Sequence, residues 1–238
     1  MQTIVFGDEG LAATRELLAR LESLRERWEG AIGEAARRFE PMRERLAVLE
    51  RIDRQYGGNA PLALEAVEDV PAWLLTELAL VHAEAGRRSI DLAEQVADIA
   101  IGIALWTIRH DVPLRVVEPV ANALALRSNQ AASRESLAAA FGLMQGVIRH
   151  VAPHLEADLE RSNPERPWRI LHLNLAITAI RSEDATLMRF AFDALDAALP
   201  DERAGFYSEA LALALSPRIA PEVRASIEER HRKWTLAA

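Results

Sequence analysis

Two histidines lie four residues apart in the stretch VIRHVAPHLEADLE, residues 147–160. On a helix, His150 and His154 share a face and could offer two imidazoles to one metal ion, with Asp158 one turn further on as a third ligand. The pair lacks the glutamate that makes H-E-x-x-H a hydrolytic motif, because Val151 stands there, and Pro153 falls between the two rings. No fourth ligand suggests itself. His150 and His154 therefore read first as two partly exposed histidines on a helix and only second as a metal site, and no cofactor is expected. His82, His110 and His172 stand alone and are expected at the core edge or the surface.

Other chemistry is sparse. The chain has no G-x-x-x-x-G-K-[ST] phosphate loop, no G-x-G-x-x-G and no G-x-S-x-G nucleophile elbow. It also has no cysteine, which removes thiolate nucleophiles, disulfides and cysteine-based metal sites. Asp193 and Asp196 are three apart on a helical stretch and read as a solvated face. Gly142 and Gly146, four apart, are expected to let two helices approach closely. In PWRILHLNLAITAIRSED, apolar on most sides, Asn174, Thr178 and Arg181 form a polar line at i, i+4 and i+7. If that helix is central, the line must meet partner groups or border a cavity, since burying unpaired polar groups is costly. These three are the candidate ligand- or partner-facing residues.

The elements that must position them are helical. Half of the 238 residues are apolar and only 5% aromatic, a composition of close helix packing, and no alternating strand is evident beyond the fragment TIVF near the start. A net charge of −8 argues against nucleic-acid or anionic-membrane partners, both of which need Lys and Arg against phosphate. The start lacks a basic, then apolar, leader, and the longest apolar run, 99–108, is too short for a bilayer, so a cytoplasmic location is expected. One lysine, Lys233, against 27 arginines fits a GC-rich bacterial genome.

From Leu11 to Tyr56 a seven-residue pattern holds, with Leu11, Leu18, Arg25, Ile32, Phe39, Leu46 and Asp53 in one series and Thr14, Leu21, Trp28, Ala35, Met42, Leu49 and Tyr56 in the other. Only Arg25, Asp53 and Thr14 break its apolar character. The period is that of a long amphipathic helix, kinked or broken near Pro41 and ended by YGGNAP. Its seam, Leu18, Leu21, Trp28, Ile32 and Phe39, is expected to cover the rest of the chain or to form a homodimer. Two domains follow from this, 1–58 and 59–238, unless they merge into one. Further helices are expected from Pro71 to Gly86, then from a Ser89 cap through the most buried helix, and at 114–126, 133–161, 167–181, 185–198, 201–215 and 221–235.

VEPVANALALRSN, 117–129, lies over VAPHLEADLERSN, 151–163, with six identities at an offset of 34 residues. Each copy reads as a helix end, an Arg-Ser-Asn turn and another helix, and 34 residues is one helix–turn–helix unit. In length and in Trp168, Leu171, Met188 and Ala191, the chain resembles the tetratricopeptide class, and it is equally similar to HEAT-like or irregular α-solenoids. His172 stands where that class has a small residue, and Pro200 falls late. The resemblance implies an all-α, solenoid-like array of helix pairs behind the N-terminal helix. The function expected from it is a protein-interaction scaffold or adaptor holding a protein partner on its concave face. The alternative is a helical enzyme or small-molecule binder with a polar pocket around Asp98, Asn174 and Arg181, and a metal at His150 and His154.

Overall fold

The computed structural model describes residues 9–28, 35–58, 61–62, 67–155, 167–215 and 219–235, and the side chains of 9–12, 35–36 and 152–155 also lie outside the described residues. TIVF and residues 156–163 of the second copy of the 34-residue echo fall outside them too. Every described element is helical: ten α-helices and one 3-10 turn, with no strand among the described residues. No described helix is long and apolar enough to cross a membrane.

The chain gathers into two compact units, Met1–Arg127 with Arg149–Val151, and Ser128–Ile148 with Ala152–Ala238. The first begins with α1 (Glu9–Trp28) and, after a 3-10 turn at Ala35–Arg38, α2 (Phe39–Tyr56). The expected long N-terminal helix is thus two helices. Pro41 is the third residue of α2, inside the first turn, where a missing N–H leaves no intrahelical bond unmade. The two helices run antiparallel: Thr14 meets Asp53, Arg15 meets Glu50, and the Trp28 and Phe39 rings pack edge to face at 5.6 Å. Leu21, Leu24, Trp28, Phe39, Met42, Leu46 and Leu49 are all buried, each contributing about 1.5–3 kcal/mol.

Next come α3 (Asp69–Arg88) and α4 (Ile90–Arg109), separated by Ser89 alone. Ser89 is extended, and its hydroxyl accepts the Asp91 N–H at 3.2 Å, so one residue ends a helix and caps the next. Gly86, expected as the end of α3, lies within it. Most of α4 is buried, including Ile99, Ile103 and Trp106.

Arg38 pairs with Glu77 and the Arg45 guanidinium lies 3.7 Å over the Trp73 ring, setting α2 antiparallel to α3. Arg20 to Asp98 at 3.0 Å and Arg27 to Asp91 at 3.7 Å set α4 antiparallel to α1. The four helices close into a ring of antiparallel neighbours, the arrangement of an up-and-down bundle. Gly102 allows α4 to approach α1 closely, for a Cβ there would fall onto the Leu17 side chain. α5 (Glu118–Gln130) and α6 (Arg134–Leu155) complete the middle of the chain. Arg127, Ser128 and Asn129 lie inside α5, so the expected turn at this triplet is helix. Gly142 and Gly146 do not mediate close packing, since a Cβ at either meets open space.

The second unit continues with α7 (Pro167–Ser182), α8 (Ala185–Ala198), α9 (Arg203–Ala214) and α10 (Pro221–Thr235). The Asp184 carboxylate caps α8 by accepting the N–H groups of Thr186 at 2.8 Å and Leu187 at 3.0 Å. α7 packs on α8, α9 on α10, and α10 on α8.

Candidate functional site

Each unit has a buried carboxylate at its centre. In the first, Asp53 Oδ1 accepts from Trp106 Nε1 at 2.8 Å and His110 Nε2 at 2.6 Å, and Oδ2 accepts from Thr14 Oγ1 at 2.5 Å. Arg109 stands 3.8 Å from Oδ2; its own burial lowers its pKa, against the pull of Asp53. His110 is fully buried, inside the core and not at its edge. In the second unit, Asp196 accepts from Tyr207 Oη at 2.9 Å, Trp234 Nε1 at 2.9 Å and Arg230 at 2.6 Å. Asp193 is exposed and shares Arg230 at 2.5 Å, whereas Asp196 is turned into the core, so only one of the two aspartates is on the solvated face. Burial, then the Asp196 carboxylate, push the Tyr207 phenol far above its ordinary range. Both clusters tie three helices together, α1, α2 and α4 around Asp53 and α8, α9 and α10 around Asp196. The Asp53 carboxylate is fully buried, with both oxygens engaged by donors from Thr14, Trp106 and His110.

What the second unit leaves open is a groove between α7 and α9, floored by Ile219 and Ile227, with a volume of about 740 Å³. α7 contributes Arg169, Leu173, Ile177, Ile180 and Arg181, a stripe at helical spacing. α9 contributes Gly205, Phe206, Glu209, Ala210, Leu213 and Ala214. Arg169 donates to Glu202 at the start of both helices, so α7 and α9 run in the same direction along the groove. Ile177 is 40% and Leu213 76% exposed, so the groove's mouth is apolar as well as its floor. The groove exists because α9 is apolar on two faces: Tyr207 and Ala214 face the core, and Leu213 faces away.

Of the residues singled out in the sequence, Arg181 alone lines this groove. Its guanidinium donates to the carbonyls of Ser128 at 2.5 Å and Ala131 at 3.0 Å. Thr178 is buried, sharing a 2.7 Å hydrogen bond with Ser128 Oγ and donating to the Asn174 carbonyl. Asn174 donates to the Ile170 carbonyl of its own helix at 2.8 Å. Asp98 belongs to the first unit, held by Arg20 at 3.0 Å and Arg127 at 3.1 Å. Of the N-terminal seam, Leu21, Trp28 and Phe39 are buried within the chain, Leu18 is half-buried, and Ile32 lies outside the described residues.

His150 hydrogen-bonds through Nε2 to the Val112 carbonyl at 2.8 Å; the His154 side chain and Asp158 lie outside the described residues. Among the described residues no group of three or more His, Cys, Asp or Glu converges on a metal position. His172 is buried, hydrogen-bonded through Nδ1 to the Trp168 carbonyl and packed on the Trp168 ring. His82 is half-buried, and burial lowers its pKa. Sequence reasoning missed the groove residues Leu173, Ile177, Phe206 and Leu213; the available signal was the second apolar face of α9. No family model, curated protein or solved structure matches the chain.

Proposed function

We propose that the protein is a cytoplasmic interaction scaffold whose second unit holds an apolar segment of a partner protein in the groove between α7 and α9. The observation that carries this reading is an open groove lined by Leu173, Ile177, Phe206 and Leu213, two of them at least 40% exposed. Burying an exposed Leu or Ile against a partner yields about 1.5–3 kcal/mol per side chain, so a few such anchors support specific binding.

The pairs α7–α8 and α9–α10 are read as successive repeat units. Their first helices start 36 residues apart, at 167 and 203, as do their second helices, at 185 and 221. In a stacked array of this kind, equivalent helices line one face, which is where α7 and α9 stand relative to the groove. A homodimer through the N-terminal seam is not part of the proposal, since Leu21, Trp28 and Phe39 are already covered within the chain.

The test is affinity capture by the full chain, run in parallel with Ile177→Glu and Leu213→Glu. Supporting the proposal requires a protein that is retained by the native chain, lost by both variants, and crosslinked from a photoreactive residue at position 210. Equal retention by all three overturns it. So does a small molecule at one per chain in native mass spectrometry, which the volume of about 740 Å³ would also accommodate.

A further inference from the structure

Building on that reading of the groove, we infer that its occupant is an amphipathic helix of about three turns, with Lys or Arg beside its apolar stripe. The length comes from α7, whose lining residues run from Arg169 to Arg181, a rise of roughly 18 Å at 1.5 Å per residue. The helical form follows from the walls. Both are helix faces whose backbone groups are spent internally, so an extended segment would bury its N–H and C=O groups against Ile177 and Leu213 without partners. A helix satisfies its own. The walls also present ridges four residues apart, Leu173 and Ile177 on one side and Phe206 and Ala210 on the other, and a third helix seats its own ridge between them. Gly205 leaves room for it, since a Cβ there meets open space.

The charge of the flank comes from the rim. Among the described residues, three carboxylates border the groove, Asp201, Glu202 and Glu209, against two guanidiniums, Arg169 and Arg181. Arg169 is engaged by Glu202, and Arg181 by the carbonyls of Ser128 and Ala131. Asp201 and Glu209 form no ion pair with another described residue and are both exposed. A helix entering here meets two exposed carboxylates, Glu209 within the electrostatic reach of Arg169 and neither in a close ion pair with a described residue, beside an apolar floor, which favours cationic flanks and repels acidic ones.

The experiment uses the full chain and two fluorescein-labelled 14-residue synthetic helices with the same leucine stripe, one flanked by Lys and one by Glu, followed by anisotropy at physiological salt. The Lys-flanked helix is expected to bind about tenfold more tightly, the effect of turning two exposed attractions into repulsions. That preference disappears or reverses in Asp201→Lys/Glu209→Lys, and Leu213→Glu abolishes binding of both. All three positions are exposed, so the substitutions leave the core intact. Equal binding of the two helices, still lost in Leu213→Glu, overturns the charge inference while the groove reading stands. Binding of neither overturns both. Light scattering that shows a dimer dissociated by Leu213→Glu assigns the groove to a second copy and also overturns the inference.

Discussion

Replacing Asp53 with alanine removes an acceptor that Trp106 Nε1, His110 Nε2 and Thr14 Oγ1 share, while leaving all three buried in the core. A buried donor that loses its acceptor costs about 1–3 kcal/mol, and other partners, local relaxation and water entry recover part of the sum. Loss of one partner from a buried charged cluster typically costs about 3–5 kcal/mol, so about 4 kcal/mol is expected for Asp53→Ala. Asp53→Asn keeps an acceptor for Trp106 and His110 and turns its amide toward a Thr14 hydroxyl that can accept. It loses the attraction to Arg109, so about 2 kcal/mol is expected. Thr14→Val, which removes one donor along with its bond, costs about 1 kcal/mol. The triple replacement Asp53→Leu/Thr14→Val/Trp106→Phe strands fewer donors and should be more stable than Asp53→Ala alone. A chain of two units need not unfold in one step, so the assay is native-state hydrogen exchange read on peptides from α1, α2 and α4. A loss below about 1 kcal/mol for Asp53→Ala, or one equal to that of Thr14→Val, would refute the view that this carboxylate organises the bundle.

Three further outcomes follow from particular contacts. Tyr207 should give no tyrosinate absorbance until the second unit unfolds. Because the folded value of Tyr207 is raised, its contribution to stability is complete below about pH 10 and is lost as pH rises beyond that; a Tyr207→Phe chain lacks this alkaline loss. Arg181→Ala should speed exchange at the start of the second unit at a cost of about 1 kcal/mol, and Arg181→Lys should restore less than half, because an ammonium does not reproduce the fork that reaches the carbonyls of both Ser128 and Ala131. Gly205→Ala should raise thermal stability by about 0.5–1 kcal/mol, since its Cβ meets open space on a helix; Gly102→Ala should gain nothing, because the same methyl must displace Leu17.

Local chemistry was readable where the cause is local. Ser89 and Asp184 cap the helices expected to follow them, and α8 and α10 begin and end at the expected residues. The N-terminal seam was readable as a period but not as a path. Two antiparallel helices packed along one seam keep the same seven-residue pattern through a reversal, so periodicity alone does not separate α1 and α2 from one long helix. The exceptions to that pattern carried more information than its matches. Thr14 and Asp53, two of its three polar members, are hydrogen-bonded to each other in the core. Glycines behaved the same way: Gly142 and Gly146 have the spacing of a packing motif and face open space, whereas Gly102, alone in an apolar run, is where α1 and α4 touch. Spacing identifies a face, and only the neighbouring element determines whether that face is covered.

The same distinction separates the residues that looked chemical from those left available. Asp53, Asp196, Arg230 and Thr178 are the kinds of groups a search for chemistry selects, and each is spent on holding helices together. A buried polar group must find partners to be tolerated, so conspicuous polar residues in an apolar helix are the ones whose capacity is consumed inside the fold. An apolar side chain bears no such requirement. Ile177 and Leu213 remain exposed because the core needs only one face of each helix, and nothing in their own chemistry distinguishes them from buried Leu175 or Ile227. Asp201 and Glu209 become notable only because they border that surface and the nearby guanidiniums are already engaged. What the second unit can offer another molecule is therefore a shape with an apolar floor and an unbalanced rim, and those properties arise from where α7 and α9 stand, not from any motif along the chain.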